Sequence, residues 1–527
     1  MTDPGRRGSR RARGAYFTPS DTAGFMAEQL LRDGVRDVLE PSAGDGVFID
    51  ALADVARRRG LGGISVTAVE VDEDTFCEHL TSFPEGVVGT GVLSDFLGAE
   101  LPRFDAVIGN PPFVRLRNLA AAERTRAEGV AGELLGSAMD PAGSVWMPFV
   151  LRAADRLREG GRLALVLPYE FTYVRYARPL WSFLSGAFGS LRVLRSYERM
   201  FPEILQDVVL LFAEDKGGTT SSVTFEVFES LVDVLAGEPD ITTKIEVADA
   251  MSGRPFVEAL LPEDVRTIVS RVAAITVPAS QIARFNIGYV CGDKSFFHPD
   301  PETVREFGIP DSSLRSAVGS TRMLRGTGLF TTSLPSNATT GLFLPGHELT
   351  PGESRYVEHG ESLGVNERYK CRIREPWFGV PYVHEPDLIL SVFAETPVLL
   401  VNDGKLVASN SLLCGYLEGA TSAEDFARAW YSSLSLLSIE LNVHALGGGV
   451  FVFVPREAGR VLIANPQLMT QVDLAEIHRR LRSSSPRDAY EVGDECLRSE
   501  GVLADTELEA VGAARAVLAR WRTRATS

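Results

Sequence analysis

The loop Asn110-Pro111-Pro112-Phe113 is the stretch best built to act on a chemical group. Its two prolines fix the backbone and remove two N–H donors. What is left offers acceptors, the Asn110 side-chain oxygen and the Pro111 carbonyl, beside the flat face of Phe113. An exocyclic amine on a ring carries two N–H donors. Holding both with acceptors draws the nitrogen out of conjugation with its ring and makes its lone pair a better nucleophile, while an aromatic side chain stacks on the ring. Asn110, Pro111, Pro112 and Phe113 are therefore the candidate catalytic residues.

Three shorter patterns precede this loop. Glu40-Pro41-Ser42-Ala43-Gly44-Asp45-Gly46 contains two glycines that let the backbone turn tightly and approach a ligand. Glu70 closes an apolar run, Ala68-Val69-Glu70, where an acid commonly accepts hydrogen bonds from ribose hydroxyls. Capping of the next helix is the competing role there, and Asp72 suits it equally. In Ser94-Asp95-Phe96-Leu97, Asp95 suits the amino group of an adenine ring and Phe96 its face, although capping would use the same residues. Each pattern alone is ordinary turn chemistry; their order along the chain sets them apart.

The elements that must position these residues follow from periodicity. Val35–Leu39, Ile64–Glu70, Val87–Leu93, Asp105–Ile108, Arg162–Leu167 and Val208–Phe212 read as strands. Helices are predicted near Val47–Arg59 and over Ser144–Arg158, the latter stopped by Glu159-Gly160-Gly161. The alternation predicts an α/β fold with a doubly wound, parallel, Rossmann-like sheet covered on both faces. Ligands bind beyond the carboxyl ends of such strands, near the switch in strand order, and all four patterns fall just after strands. Beyond about residue 245 the pattern changes to short β-rich runs, as in Arg322–Pro345 and Val398–Gly415. A helical stretch near Ala423–Ile439 and helices at Val472–Arg482 and Asp505–Arg522 follow. A catalytic domain at 1–245 and a mixed α/β domain at 246–527 are expected.

A chain of 527 residues, 45% hydrophobic, is long enough for two or three cored domains. It has no apolar run long enough to cross a bilayer, and its Arg-rich start lacks the apolar stretch of a secretory signal. The five cysteines form no CxxC pair and the seven histidines do not cluster, which argues against a disulfide framework or a zinc site and fits a reducing cytoplasm. The net charge of -17 weighs against a uniformly basic nucleic-acid binder. Phosphate contacts depend on where the cations sit, however. Arg115 and Arg117 follow the proline loop, Arg368, Lys370, Arg372 and Arg374 alternate along one stretch, and five arginines crowd residues 6–13.

Taken in order, these motifs resemble those of the gamma-class, TaqI-type adenine-N6 DNA methyltransferases. Gly14-Ala15-Tyr16-Phe17-Thr18-Pro19 is similar to their N-terminal cofactor motif, and Val166-Leu167-Pro168-Tyr169 and Phe201-Pro202 to later ones. The resemblance implies S-adenosylmethionine as cofactor, held by Tyr16, Thr18, Glu40, Ser42, Gly44, Asp45, Gly46, Glu70, Val71, Asp95, Phe96, Asn110 and Pro112. It implies that Asn110 and Pro111 hold the target amine and that Phe113 and Phe201 sandwich an adenine flipped out of the duplex. Phe113 stands where many members carry Tyr, a change that keeps stacking. More weakly, Ile287–Lys294, Lys370–Phe378 and Gly447–Val450 resemble target-recognition domains, which implies DNA contacts from Arg115, Arg117, Lys294, Lys370, Arg372 and Arg374. The loop Arg115–Val145 is long enough to close over DNA.

In-line methyl transfer from a sulfonium needs no metal and no covalent enzyme intermediate, so the expected partner is double-stranded DNA, without metal or membrane. Similar loops occur in enzymes that methylate ribosomal RNA bases or a release-factor glutamine, which remain the competing substrates. Cytosine N4 is disfavoured because Ser usually replaces Asn in those loops. A catalytically silent DNA-binding module is the alternative from another class. A separate restriction nuclease or defence-system partner stays open.

Overall fold

The computed structural model describes residues 18–523 except 33, 202–206, 253, 262, 336, 338, 447–448 and 484. The chain divides into two compact units, Met1–Pro262 and Glu263–Ser527.

The first unit is built on a nine-stranded sheet. Its elements run α1 (Ser20–Leu30), β1 (Asp37–Glu40), α2 (Val47–Arg58), β2 (Ile64–Glu70), α3 (Glu73–His79), β3 (Val87–Leu93) and β4 (Phe104–Gly109). Then come α4 (Ala121–Leu135), α5 (Trp146–Asp155), β5 (Leu157–Pro168), α6 (Arg178–Ala187), β6 (Phe188–Ser196), β7 (Val208–Lys216) and β8 (Ser222–Phe228). The unit closes with α7 (Leu231–Ala236), β9 (Ile241–Glu246), α8 (Val247–Ala250) and α9 (Arg254–Glu258).

The strand order is β3-β2-β1-β4-β5-β7-β6-β8-β9. The first five pair in parallel. β7 then runs antiparallel to both β5 and β6, and β9 antiparallel to β8, so the sheet is mixed rather than wholly parallel. Order reverses between β1 and β4, which places the ligand crevice there. Alternation sorts the two faces. Val38, Ala106, Ile108, Ala164 and Val166 pack with residues of α1, α2 and α7 in one core. Their neighbours Val107, Leu163, Leu165 and Leu167 are equally buried and turn to the other face.

Two predicted details differ. The helix before β5 ends at Asp155, and Glu159-Gly160-Gly161 lie inside the strand, where the pairing with β4 shifts register between Phe104 and Ala106. The glycines mark a bulge, not a helix stop. The division of the chain falls at 262/263, because Ala250 and Phe256 are buried and Phe256 stacks on Trp181 of α6 at 5.3 Å.

The second unit is mixed α/β. Its four-stranded antiparallel sheet contains Ala283–Ile287, Leu412–Leu417, Leu388–Ser391 and Leu399–Val401, in that order. The predicted helical stretch at 423–439 is two helices, Ala423–Trp430 and Ser433–Asn442. No helix among the described residues is long and apolar enough to cross a membrane.

Candidate active site

The carboxyl ends of four adjacent parallel strands deliver the chemistry. Glu40 ends β1, Glu70 ends β2, Asp95 stands two residues beyond β3 and Asn110 follows β4 directly. Between them lies a cavity of about 270 Å³. Of the residues expected to hold a cofactor, Thr18, Glu40, Ser42, Gly44, Asp45, Glu70, Val71, Asp95, Phe96, Asn110 and Pro112 line it. Gly46 instead ends the glycine turn as the residue before α2, and Tyr16 lies outside the described residues.

Local geometry explains the residue types. Gly44 and Gly46 hold φ of 56° and 78°, a left-handed backbone that side chains disfavour. Glu70 accepts from the backbone N–H groups of Gly44, Val71 and Asp72, at 3.0, 2.9 and 2.8 Å. It thereby holds the glycine turn against β2. The capping role belongs to Asp72, whose Oδ1 accepts from Thr75 N at the start of α3. Ser42 Oγ donates to the Asn110 carbonyl at 3.0 Å, and Asn110 Nδ2 donates to Thr18 Oγ1 at 3.2 Å. The proline loop is thus tied both to the glycine turn and to the residue two positions ahead of α1. Phe96 is buried against Phe149 of α5, ring centroids 5.2 Å apart.

The cavity's charge restricts what it takes. Among the described residues, its lining includes six carboxylates (Glu40, Asp45, Glu70, Asp72, Asp95 and Glu123) and no Lys, Arg or His. A dinucleotide, with its pyrophosphate, is disfavoured there; a cationic ligand is favoured. Glu40 is fully buried and neither carboxylate oxygen has a hydrogen-bond partner among the described residues. Burial, with added repulsion from Asp45, Glu70 and Asp50, holds its carboxyl well above the usual carboxylate range. An ammonium group resolves that orphan, and Val71, 60% exposed, offers apolar surface to a ring. These features fit S-adenosylmethionine, which carries an ammonium, a sulfonium and an adenosine. Among the described residues no group of His, Cys, Asp and Glu is arranged to hold a metal.

Other expected residues sit differently. Phe113 is partly buried and packs against the core that contains Phe201, itself only 3% exposed. Arg115 is committed within the protein: it pairs with Glu170 at 2.7 Å and donates to Tyr176 Oη at 3.0 Å. Arg117 is exposed. In the second unit, Arg374 donates to the carbonyls of Cys291 and Val290, at 2.8 and 2.6 Å, and so braces the segment before it. Lys294 is exposed and donates to Ser411 Oγ. Lys370 and Arg372, on a short helix Tyr369–Arg372, are exposed and lie over the Tyr369 ring at 5.5 and 5.7 Å.

The sequence reading missed the wall supplied by the segment after the proline loop. Asn118, Leu119 and Glu123 line the cavity, and Arg126 of α4 pairs with Asp95 at 2.7 Å. Glu123 three residues after Ala120 was the available signal of a helix start, because a Glu there accepts from the residue before the helix.

Two family models match the chain: the Eco57I restriction-modification methylase over residues 69–189, and the C-terminal domain of the Type II methyltransferase M.Eco57I over residues 253–497. The Type II methyltransferase M.AccI of Acinetobacter calcoaceticus is 24% identical over 398 residues, 72% of this chain and 71% of that one. The Type II methyltransferase M.PaeR7I of Pseudomonas aeruginosa is 30% identical over 257 residues, 40% of this chain and 42% of that one. Among solved structures, the Type IIL restriction-modification enzyme MmeI in complex with DNA aligns with a TM-score of 0.57 and 13% identity, over 99% of this chain and 80% of that one. That last likeness speaks for the fold.

Proposed function

We propose that this chain is an Eco57I-type restriction-modification methylase and transfers a methyl group from S-adenosylmethionine to the N6 amino nitrogen of adenine in double-stranded DNA. The observation that carries the reading is the Asn110 amide, oriented by Thr18 on a rigid proline loop, beside a cavity lined by six carboxylates.

S-adenosylmethionine, when bound, supplies an electrophilic methyl carbon whose bond to sulfur breaks as the bond to nitrogen forms. Asn110 Oδ1 and the Pro111 carbonyl accept the two amine hydrogens and aim the nitrogen lone pair. Phe113 stacks on the ring; Phe201 is the proposed second wall and must be uncovered to serve. The displaced proton leaves to water, so no strong base is needed. Adenine in a duplex reaches such a loop only when flipped out, at a few kcal/mol, which stacking offsets by about 1–3 kcal/mol per base. Glu40 takes the ammonium end of the cofactor, Glu70 the ribose, and Asp95 with Val71 the adenine. Arg117, Lys294, Lys370 and Arg372 contact phosphates or guanine edges, whereas Arg115 and Arg374 act as internal braces.

The test is to incubate the purified chain with S-adenosylmethionine and unmodified duplex DNA, then digest to nucleosides. N6-methyldeoxyadenosine is expected. N4-methyldeoxycytidine would move the target atom, and methyl groups found only in a parallel reaction given RNA would replace DNA as the substrate.

A further inference from the structure

The 35 residues between Asn110 and Trp146 place more than a connection over the cavity. Leu119 and Glu123 line it, and Arg126, one helical turn further along α4, reaches Asp95. Ala127 and Val130 are buried, so α4 is held down by its apolar side. The Arg126 stem lies over the turn after β3: a Cβ at Gly98 would come within 3.0 Å of Arg126 Cδ. Glycine there makes room for the arginine.

Asp95 is doubly fixed. Its Oδ1 accepts from Leu97 N at 3.0 Å and its Oδ2 from Arg126 Nε at 2.7 Å. Each carboxylate oxygen keeps a second lone pair, so capacity for further donors remains. Asp95 also shares its cavity with five other carboxylates, and Arg126 is the cation paired with it.

We propose that Arg126 is a positioning residue of the cofactor site: it holds Asp95 oriented toward the adenine end of S-adenosylmethionine, and so couples α4 to cofactor binding. This rests on the reading that the cavity takes S-adenosylmethionine. Arg126 acts through Asp95 and touches no reacting atom.

The test is calorimetric binding of S-adenosylmethionine and of S-adenosylhomocysteine to four full-length proteins: wild type, Arg126→Gln, Asp95→Asn and the double variant. Apo melting temperatures are recorded alongside. Arg126→Gln is expected to weaken both ligands about 5–10-fold, the loss of one supporting hydrogen bond, with its melting temperature kept. Arg126→Lys should recover part of the affinity. Because the arginine works through Asp95, the double variant should bind no more weakly than Asp95→Asn alone. Unchanged affinity in Arg126→Gln, or losses that multiply in the double variant, would overturn the proposal. If Arg126→Gln folds poorly, Arg126→Met keeps the stem packed over Gly98 and carries the same comparison. A wild-type protein that binds neither ligand refutes the reading of the cavity, and this proposal with it.

Discussion

Asn110 Nδ2 donates to Thr18 Oγ1 at 3.2 Å, across 92 positions of the chain. The bond decides which end of a planar amide is which: the donor end faces Thr18, and the acceptor end is the one that suits an amine hydrogen. Thr18→Val should therefore lower kcat about 10-fold, the worth of one hydrogen bond, while cofactor affinity moves less. Asn110→Ala, which removes the acceptor itself, should lower kcat about 100-fold or more. Single-turnover methylation with separately measured cofactor Kd checks both. A Thr18→Val protein that loses affinity but not rate would contradict the orienting role.

Glu40 ties the site to pH. Its carboxyl is held well above the usual range by burial first and by neighbouring carboxylates second. A group whose folded pKa is raised adds stability below its unfolded pKa, about 4.3, and loses it as pH climbs through the folded value. Within that window the apo protein should melt higher as pH is lowered, and Glu40→Gln should flatten the Glu40 share of the slope and raise the melting temperature at neutral pH. A cationic cofactor favours the charged form, so binding should release a proton from Glu40. Calorimetry in two buffers of different ionisation enthalpy reads that proton; its absence in the wild type would refute the assignment.

Two arginines two positions apart should behave differently. Arg117 is exposed, so Arg117→Ala should weaken DNA binding and reduce the slope of log K against log salt by about 1. Arg115 is bound to Glu170 and Tyr176, so Arg115→Ala should leave that slope alone and lower thermal stability and turnover. Fluorescence titrations at several salt concentrations separate the two, and equal slope changes would refute the distinction.

Phe256 anchors the end of the first unit, fully buried and stacked on Trp181. Phe256→Ala should cost about 3–5 kcal/mol in denaturant unfolding. A loss below about 1 kcal/mol would mean that α8 and α9 do not belong to that core.

The parallel half of the sheet was legible because each strand is an apolar run that ends on a chemically distinctive residue. Ile64–Glu70 and Val87–Leu93 were predicted to the residue, and Glu40, Glu70, Asp95 and Asn110 converge as their positions after strands require. The antiparallel half was not legible: whether β7 runs with or against β5 depends on pairing far apart in sequence, which local periodicity does not encode. The fates of Arg115 and Arg374 were hidden for a similar reason. A basic residue reads the same whether it faces phosphate or, as here, a carboxylate or a carbonyl 55 to 84 positions away. Arg126 escaped because its partner Asp95 is 31 residues earlier, on another element.

The central claim is tested most directly in a host that lacks adenine methylation of its own. The chain is expressed there, and the host DNA is sequenced by a method that reports modified bases. N6-methyladenine in one recurring motif, absent when Asn110→Ala is expressed at the same level, is the predicted result. Unmodified DNA from cells that contain folded, S-adenosylmethionine-binding protein would contradict it.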